Sequence, residues 1–443
     1  MPETTKPWAD YRGTEGYYRL VRYASGFFGL VDPDNQPFFY RGVCAVNRAG
    51  EPGGRLAKPG VYADTCKRLY GDDTDRFVAS CIRRTIACGF NAFGSWTTDE
   101  FFNRGVCFTE TLEFTKIDES VRLRGKGIRL PDVFDPKWDL AARALCEQLV
   151  PPLVTSRDLL GYFVDNELGW GQAKTDHVWG AGDNVNTDGS APTLLQFCLS
   201  LPEDRAAHSA AWNFLEERYT SAARALASWG IETTDDAARA DVRRMSENGM
   251  VFSSETYGRD HEAFTRLFAE RYVRRVCEEI RRIDPNHLIL GCRFGAPPGE
   301  AVARAQDIPG GFDVCSINNY RDTFYDRISD MAGETDLPIL NGEFSWNSDY
   351  FALDRRPGDA GLSEKERIAR HGPKALESAV AHPRLVGYTW YRWVHNFTSP
   401  EDRSYGIVNR EGDILNRFNA SLLASVNPRL ESIRNHAGGI SGS

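Results

Sequence analysis

The stretch Gly161-Tyr-Phe-Val-Asp-Asn-Glu-Leu-Gly-Trp170 sets the reading of the chain. It continues an apolar run, 159–164, with the length and composition of a buried strand. The run stops at three polar side chains, Asp165, Asn166 and Glu167. A buried strand ending in Asn-Glu delivers an amide and a carboxyl to its C-terminal mouth, the end at which parallel α/β folds bind ligands. Far down the chain, Leu337-Pro-Ile-Leu-Asn-Gly-Glu343-Phe-Ser-Trp346 repeats the pattern of short apolar strand, glutamate and aromatics. Two strands that each end in one glutamate fit the paired carboxylates that cleave a glycosidic bond.

Outward from these two stretches the chain alternates strand, loop and helix. Strands are expected at 42–47, 89–96, 106–112, 159–164, 287–294, 312–320, 339–343 and 385–393, with helices between them. Eight such units predict an α/β fold, a (β/α)8 TIM barrel over 41–430, extended by a helical insertion at about 172–286 between strands four and five. Within the insertion, helices are expected at 207–230 and 261–283. A doubly wound sheet would carry a glycine-rich phosphate turn after its first strand, where this chain has Val46-Asn47-Arg48. Residues 1–40 read as a loose arm (1–16) followed by an aromatic β-hairpin that packs on the barrel, and 431–443 as a flexible tail. The stretch 114–135 reads as a long loop carrying Arg122, Arg124, Lys126 and Arg129. Asp72 is the expected cap of a helix at 73–88, and Pro136 opens the helix to Val150.

Composition narrows the function classes. A chain of 443 residues with 41% hydrophobic and 26% charged residues is an ordinary globular protein. Its net charge of −9 argues against nucleic acid or an anionic membrane as partner. No apolar run approaches the ~18 residues of a membrane span. The ten cysteines form no C-x-x-C pair and sit in apolar patterns, so buried free thiols are expected. The polar N-terminus lacks the apolar core of a leader, and a reducing cytoplasm is the expected location. No histidines are paired as H-x-H or H-x-x-x-H, so neither a metal nor another cofactor is expected.

Glu167 and Glu343 are the candidate catalytic pair. Trp96, Trp170, Trp346, Trp390 and Trp393 stand at or beyond strand ends, where indole faces stack on sugar rings. Asn47, Arg293, Asn318, Tyr320, His395 and Asn396 are polar groups at the same mouth, able to bind hydroxyls. Asp165 reads as a local hydrogen-bonding group, and His287, at the start of its strand, as structural. The expected partner is an oligosaccharide.

These positions resemble the clan of retaining glycoside hydrolases whose barrels carry the acid/base after strand four and the nucleophile after strand seven. Within that clan the chain is similar to the agarase family. The stretches that carry the likeness are Gly29-Leu-Val-Asp-Pro-Asp with Phe38-Phe-Tyr-Arg-Gly42, Gly89-Phe-Asn-Ala-Phe-Gly-Ser-Trp96, Gly161 to Gly171, Gly291-Cys-Arg-Phe294 and Asn341-Gly-Glu-Phe344. The helical insertion is similar to that of the clan's β-galactosidases. The resemblance implies Glu167 as acid/base and Glu343 as nucleophile. It also implies Tyr320 as hydrogen-bond donor to Glu343 and Asn166 as ligand of the sugar 2-hydroxyl. It implies double displacement on short β-linked oligosaccharides, galactose-containing and agar-type, trimmed from one end. The alternatives are a β-glycosidase or transglycosylase of the clan acting on another sugar, and a sugar-binding barrel without activity.

Overall fold

The computed structural model describes residues 7–171, 186, 188–346, 349–352, 356–394 and 406–440. Four short strands open the chain: β1 (Trp8–Arg12), β2 (Arg19–Tyr23), β3 (Phe28–Val31) and β4 (Pro37–Phe38), antiparallel in that order. Within the expected loose arm, residues 8–12 form a strand, because Trp8 packs edge-on to Tyr23 and draws β1 into register with β2.

Next come β5 (Tyr40–Val43), β6 (Ala92–Phe93) and β7 (Cys107–Thr111), then a hairpin of β8 (Arg122–Gly125) and β9 (Ile128–Pro131). β10 (Leu159–Phe163) leads into the short β11 (Gly169–Trp170), and β12 (Leu288–Gly291), β13 (Cys315–Asn318), β14 (Ile339–Phe344) and β15 (Leu385–Trp390) complete the set. Eight of these form one parallel sheet, ordered β12-β10-β7-β6-β5-β15-β14-β13. Its two ends meet through a parallel bridge between Phe294 and Ile317, with Asn318 N donating to Phe294 O at 2.7 Å. The fold is the (β/α)8 barrel, with the eight strands in the expected places.

Strands of such a barrel are buried on both faces, which is why they read as continuous apolar runs. Inside, Tyr40, Leu160, Phe163, Leu288, Leu290, Leu340 and Val386 pack with Tyr18, just before β2, and with Leu20, Phe28 and Leu30 of the N-terminal sheet. Phe28 N also donates to Pro383 O, just before β15 begins, so this sheet plugs the end opposite the strand C-termini. Each such side chain, fully buried, contributes about 1.5–3 kcal/mol. At Gly161, β10 passes so close to β12 that a Cβ would lie 2.1 Å from Leu288 O. Only glycine fits there.

The outer layer follows local signals. Asp73, one residue beyond the expected cap, accepts from Arg76 N and starts helix Thr74–Ala87. Asp135 caps Pro136–Leu149, with proline at its first turn. Between β10 and β12 lie five described helices, from Leu194–Ser200 to the 29-residue Glu255–Ile283. The expected helix at 207–230 is two, Ala206–Tyr219 and Ala222–Ser228, parted at Thr220, whose φ is +72°.

Two expectations are corrected here. The stretch 114–135 is not a plain loop. Leu123, Ile128 and Leu130 alternate inward, and β8 and β9 form a three-stranded sheet with β11. The C-terminal residues to 438 are not a tail but the end of helix Arg417–Gly438, which runs through Pro428. Its Arg434 is buried and donates to Phe28 O, Val380 O and His382 O, tying the N-terminal sheet to the barrel. All ten cysteines are buried and free. Among the described residues no helix is long and apolar enough to cross a membrane.

Candidate active site

Backbone conformation marks the mouth before any side chain does. The first five barrel strands end in or near a non-glycine residue with positive φ: Ala45 (58°), Trp96 (64°), Glu113 (61°), Glu167 (53°) and Arg293 (54°). Each such residue is disfavoured by about 1–3 kcal/mol, and such strain concentrates at functional sites.

Glu167 leaves β10 in this left-handed turn, its N–H shared between Cys292 O and Arg293 O at 3.2 Å. Its carboxyl Oε1 accepts from Asn318 Nδ2 at 3.1 Å. The same amide donates to Asn166 Oδ1 at 3.0 Å. The Asn166 carbonyl is held by Arg129 Nη2 at 2.6 Å, so the β8–β9 sheet braces the Asn-Glu turn. Glu343 faces this group from β14. Arg293 Nη2 lies 2.9 Å from its Oε1 and 2.9 Å from Gly342 O. Tyr320 donates its hydroxyl to Glu343 Oε2.

The two carboxylates differ in their neighbours. Burial pushes Glu167 up to about 7, and the negative charge of Glu343 adds to the rise. Burial also raises Glu343, but Arg293 and the Tyr320 hydroxyl pull against it, followed by Arg392 and Asn318. Glu343 therefore touches a guanidinium and a phenol, whereas Glu167 is held by one amide. A single shared proton belongs on Glu167.

The remaining sequence candidates divide. Arg293 is wholly buried, its guanidinium 4.4 Å from the Trp96 ring centroid and 5.3 Å from that of Phe163, so it holds Glu343 rather than a ligand. Asn318 is likewise internal. Asn47 folds its own loop, donating to Glu51 O and Trp96 O and accepting from Gly50 N. Trp390 is buried against Trp346, ring centroids 4.8 Å apart, and Trp346 Nε1 donates to Asn419. Trp170 packs on Phe268 and Tyr272, and Trp393 donates to Tyr62. These four indoles are core, with no face at the mouth. Trp96 alone of the five stays there. His395 and Asn396 lie outside the described residues. Asp165 accepts from Thr115 N and Tyr272 OH, a local role, and His287 joins Asp284 and Ser156 O at the closed end of the barrel.

Three residues escaped the sequence reading. Tyr391 clusters with Cys44, Ala45 and Trp96, and its ring is edge-on to Tyr320 at 6.2 Å. It is the strand-eight aromatic beside the pair, one residue from Trp390. Period-two alternation would have separated them, since Tyr388 and Trp390 share the outer face. Arg392 acts on Glu343 and is bound to Glu51 at 2.8 Å. Glu113, at the end of the third strand, is buried and accepts from Trp96 Nε1 at 3.4 Å. Among the described residues no three of His, Cys, Asp and Glu gather as metal ligands.

Fold and site together define a (β/α)8 barrel with a buried, hydrogen-bonded carboxylate pair at its mouth. The relatives it matches in sequence are β-agarases. It is 28% identical over 341 residues to β-agarase A of Vibrio sp. (strain JT0107), covering 71% of this chain and 31% of the relative. To β-agarase B of the same strain it is 24% identical over 329 residues, covering 72% of this chain and 32% of the relative. The chain thus spans about a third of the length of these curated relatives. No family model matches it. Among solved structures, an exo-β-agarase superposes with a TM-score of 0.74 at 18% identity over 98% of this chain and 68% of that one. The agarase AgWH50C gives 0.72 at 21% identity over 96% and 66%. These superpositions establish the shared fold.

Proposed function

We propose that the protein is a retaining β-glycoside hydrolase acting on agar-type, galactose-containing oligosaccharides. The observation that carries this reading is the unequal carboxylate pair: Glu343 against Arg293 and Tyr320, Glu167 raised to about 7. Glu343, ionised, attacks the anomeric carbon while Glu167 gives its proton to the departing glycosidic oxygen. The product of this step is a glycosyl ester on Glu343 and a released alcohol. With the Glu343 charge gone, Glu167 is a stronger acid. As carboxylate it takes a proton from the water that attacks the same carbon and displaces Glu343. Two inversions give net retention.

A short carboxyl separation suits this reading: the Asn318 amide bonds Glu167, and Asn318 stands opposite Glu343 in the register of neighbouring strands. Retaining enzymes hold their carboxyls about 5–5.5 Å apart, against ~6.5–9.5 Å in inverting ones. With Oδ1 taken by Asn318, the Asn166 amide turns its Nδ2 away from that contact, and the reading gives it the sugar 2-hydroxyl. The sugar assignment rests on the named activity of the sequence relatives, and an end-acting mode on the β8–β9–β11 sheet, whose Arg129 holds the Asn166 carbonyl beside the pair.

Azide rescue tests the assignment. Glu343→Ala is expected to lose at least ~10³-fold in kcat on an activated glycoside and to form a glycosyl azide of inverted configuration when azide is added. Glu167→Ala is expected to retain turnover of substrates whose leaving group needs no proton. The opposite pattern would exchange the roles, and unaltered activity in both variants would remove the site.

A further inference from the structure

Between the second and third barrel strands the chain makes only a short 3-10 turn, Asp99–Phe101, where a barrel of this type places a helix. The flank left uncovered is a cavity of about 680 Å³, within the range of small-molecule sites. It runs from the mouth, at Trp96 and Glu113, down to Leu145 and Leu149 of helix Pro136–Leu149.

Its lower part is apolar and its upper part is not. At the top, Glu110 and Glu113 are 6% and 5% exposed. Each is paired with a cation on the rim, Arg55 on Glu110 and Lys116 on Glu113. Both cations are about half exposed. Thr97 also lines the cavity, and its buried hydroxyl has no hydrogen-bond partner among the described residues. Buried polar groups are normally satisfied, so an unpartnered one beside a cavity points to a ligand. Trp96 and Phe102 give the walls aromatic surface. Trp96 is shared with the site above: its face lies over Arg293, which holds Glu343, and its Nε1 bonds Glu113.

We propose that the upper part of this cavity is a second saccharide-binding site, which takes a neutral pyranose unit of the oligosaccharide whose other end lies over Glu167 and Glu343. This inference rests on the reading given under Proposed function. Paired cations and carboxylates offer donors and acceptors together without net charge, and so match hydroxyls. A sulfated or phosphorylated unit would meet cations already neutralised by buried carboxylates. Trp96 and Phe102 suit the apolar faces of the ring.

The test is calorimetry with an agar-derived neutral hexasaccharide on the full chain carrying Glu343→Gln, alone and combined with Leu145→Trp, which fills the cavity from below. Thr97→Val and Lys116→Met, which do not enlarge any side chain at the core, are measured in parallel. The expected result is a Kd at least tenfold weaker with the cavity filled, and threefold or more weaker with Thr97→Val or Lys116→Met. With Glu343 restored, the ratio of kcat/KM for the hexasaccharide over the shortest oligomer cleaved falls in step. Unchanged Kd in all three variants, with turnover intact, overturns the second site and leaves the hydrolase standing. Cavity-dependent binding by a chain that cleaves nothing supports the site and removes the hydrolase reading. Failure of the protein to bind the hexasaccharide also overturns the site.

Discussion

A methyl group added to Gly342 would lie 2.8 Å from both Arg293 Nε and Asn318 Oδ1. The Asn-Gly-Glu stretch is therefore glycine at its centre so that Arg293 and Asn318 can close over the strand and reach the carboxylates. Gly342→Ala is expected to push both aside and lower kcat/KM by at least ~100-fold, because a displacement of about 1 Å at a catalytic centre has that effect. Circular dichroism should show the barrel intact. Wild-type kinetics in this variant would mean that Arg293 does not set the pair. The pH profile is argued at the same scale. The proposed mechanism uses Glu343 ionised and Glu167 protonated, so kcat/KM should fall as pH rises through about 7. Glu167→Gln should abolish that basic limb. The raised acid also bears on stability. A carboxyl whose pKa is higher in the folded state favours folding fully below its unfolded value, and that contribution is lost as pH rises towards 7. A pKa that differs by one between the folded and unfolded chain corresponds to about 1.4 kcal/mol. Glu167→Gln should therefore raise Tm more at pH 8 than at pH 5, and an equal effect at both would contradict the raised pKa of Glu167.

At the scale of elements, the eight strands were legible because each is an apolar run bounded by turn residues and buried on both faces. Glu167 and Glu343 were legible because each breaks such a run. The eighth strand was harder. Tyr388, Trp390, Tyr391 and Trp393 make both faces aromatic, so composition does not say which ring faces the mouth, and the geometry gives Tyr391. The 114–135 stretch hid its hairpin because its outward residues are arginines and its inward ones only three. The last helix hid its length behind Pro428, which the interior of a helix tolerates poorly. That helix yields a test. Arg434→Met would take a donor from the carbonyls of Phe28 and Val380 and leave His382 O with Leu385 N, at about 1–3 kcal/mol for each buried carbonyl left unpaired. A loss of stability on the order of 3 kcal/mol is expected in urea unfolding, with the N-terminal sheet losing amide-exchange protection first. An unchanged midpoint would show that the sheet is held by its apolar face alone.

For the whole molecule, the plug of β1–β4 at one end and the strained turns at the other divide the barrel into a stable floor and a reactive mouth. The five left-handed residues, the carboxylate pair and the upper end of the flank cavity lie on the mouth side, and helix Glu255–Ile283 backs the Asn-Glu turn through the Tyr272–Asp165 bond. The central claim is that Glu343 and Glu167 carry out double displacement on a β-linked galactoside. Proton NMR of a single digestion of an agar-derived oligosaccharide, recorded before mutarotation, reads it directly. The account predicts that the first anomeric signal to grow is that of the β-anomer, with the α-anomer appearing only as the sugar equilibrates. An α-anomer formed first would contradict it.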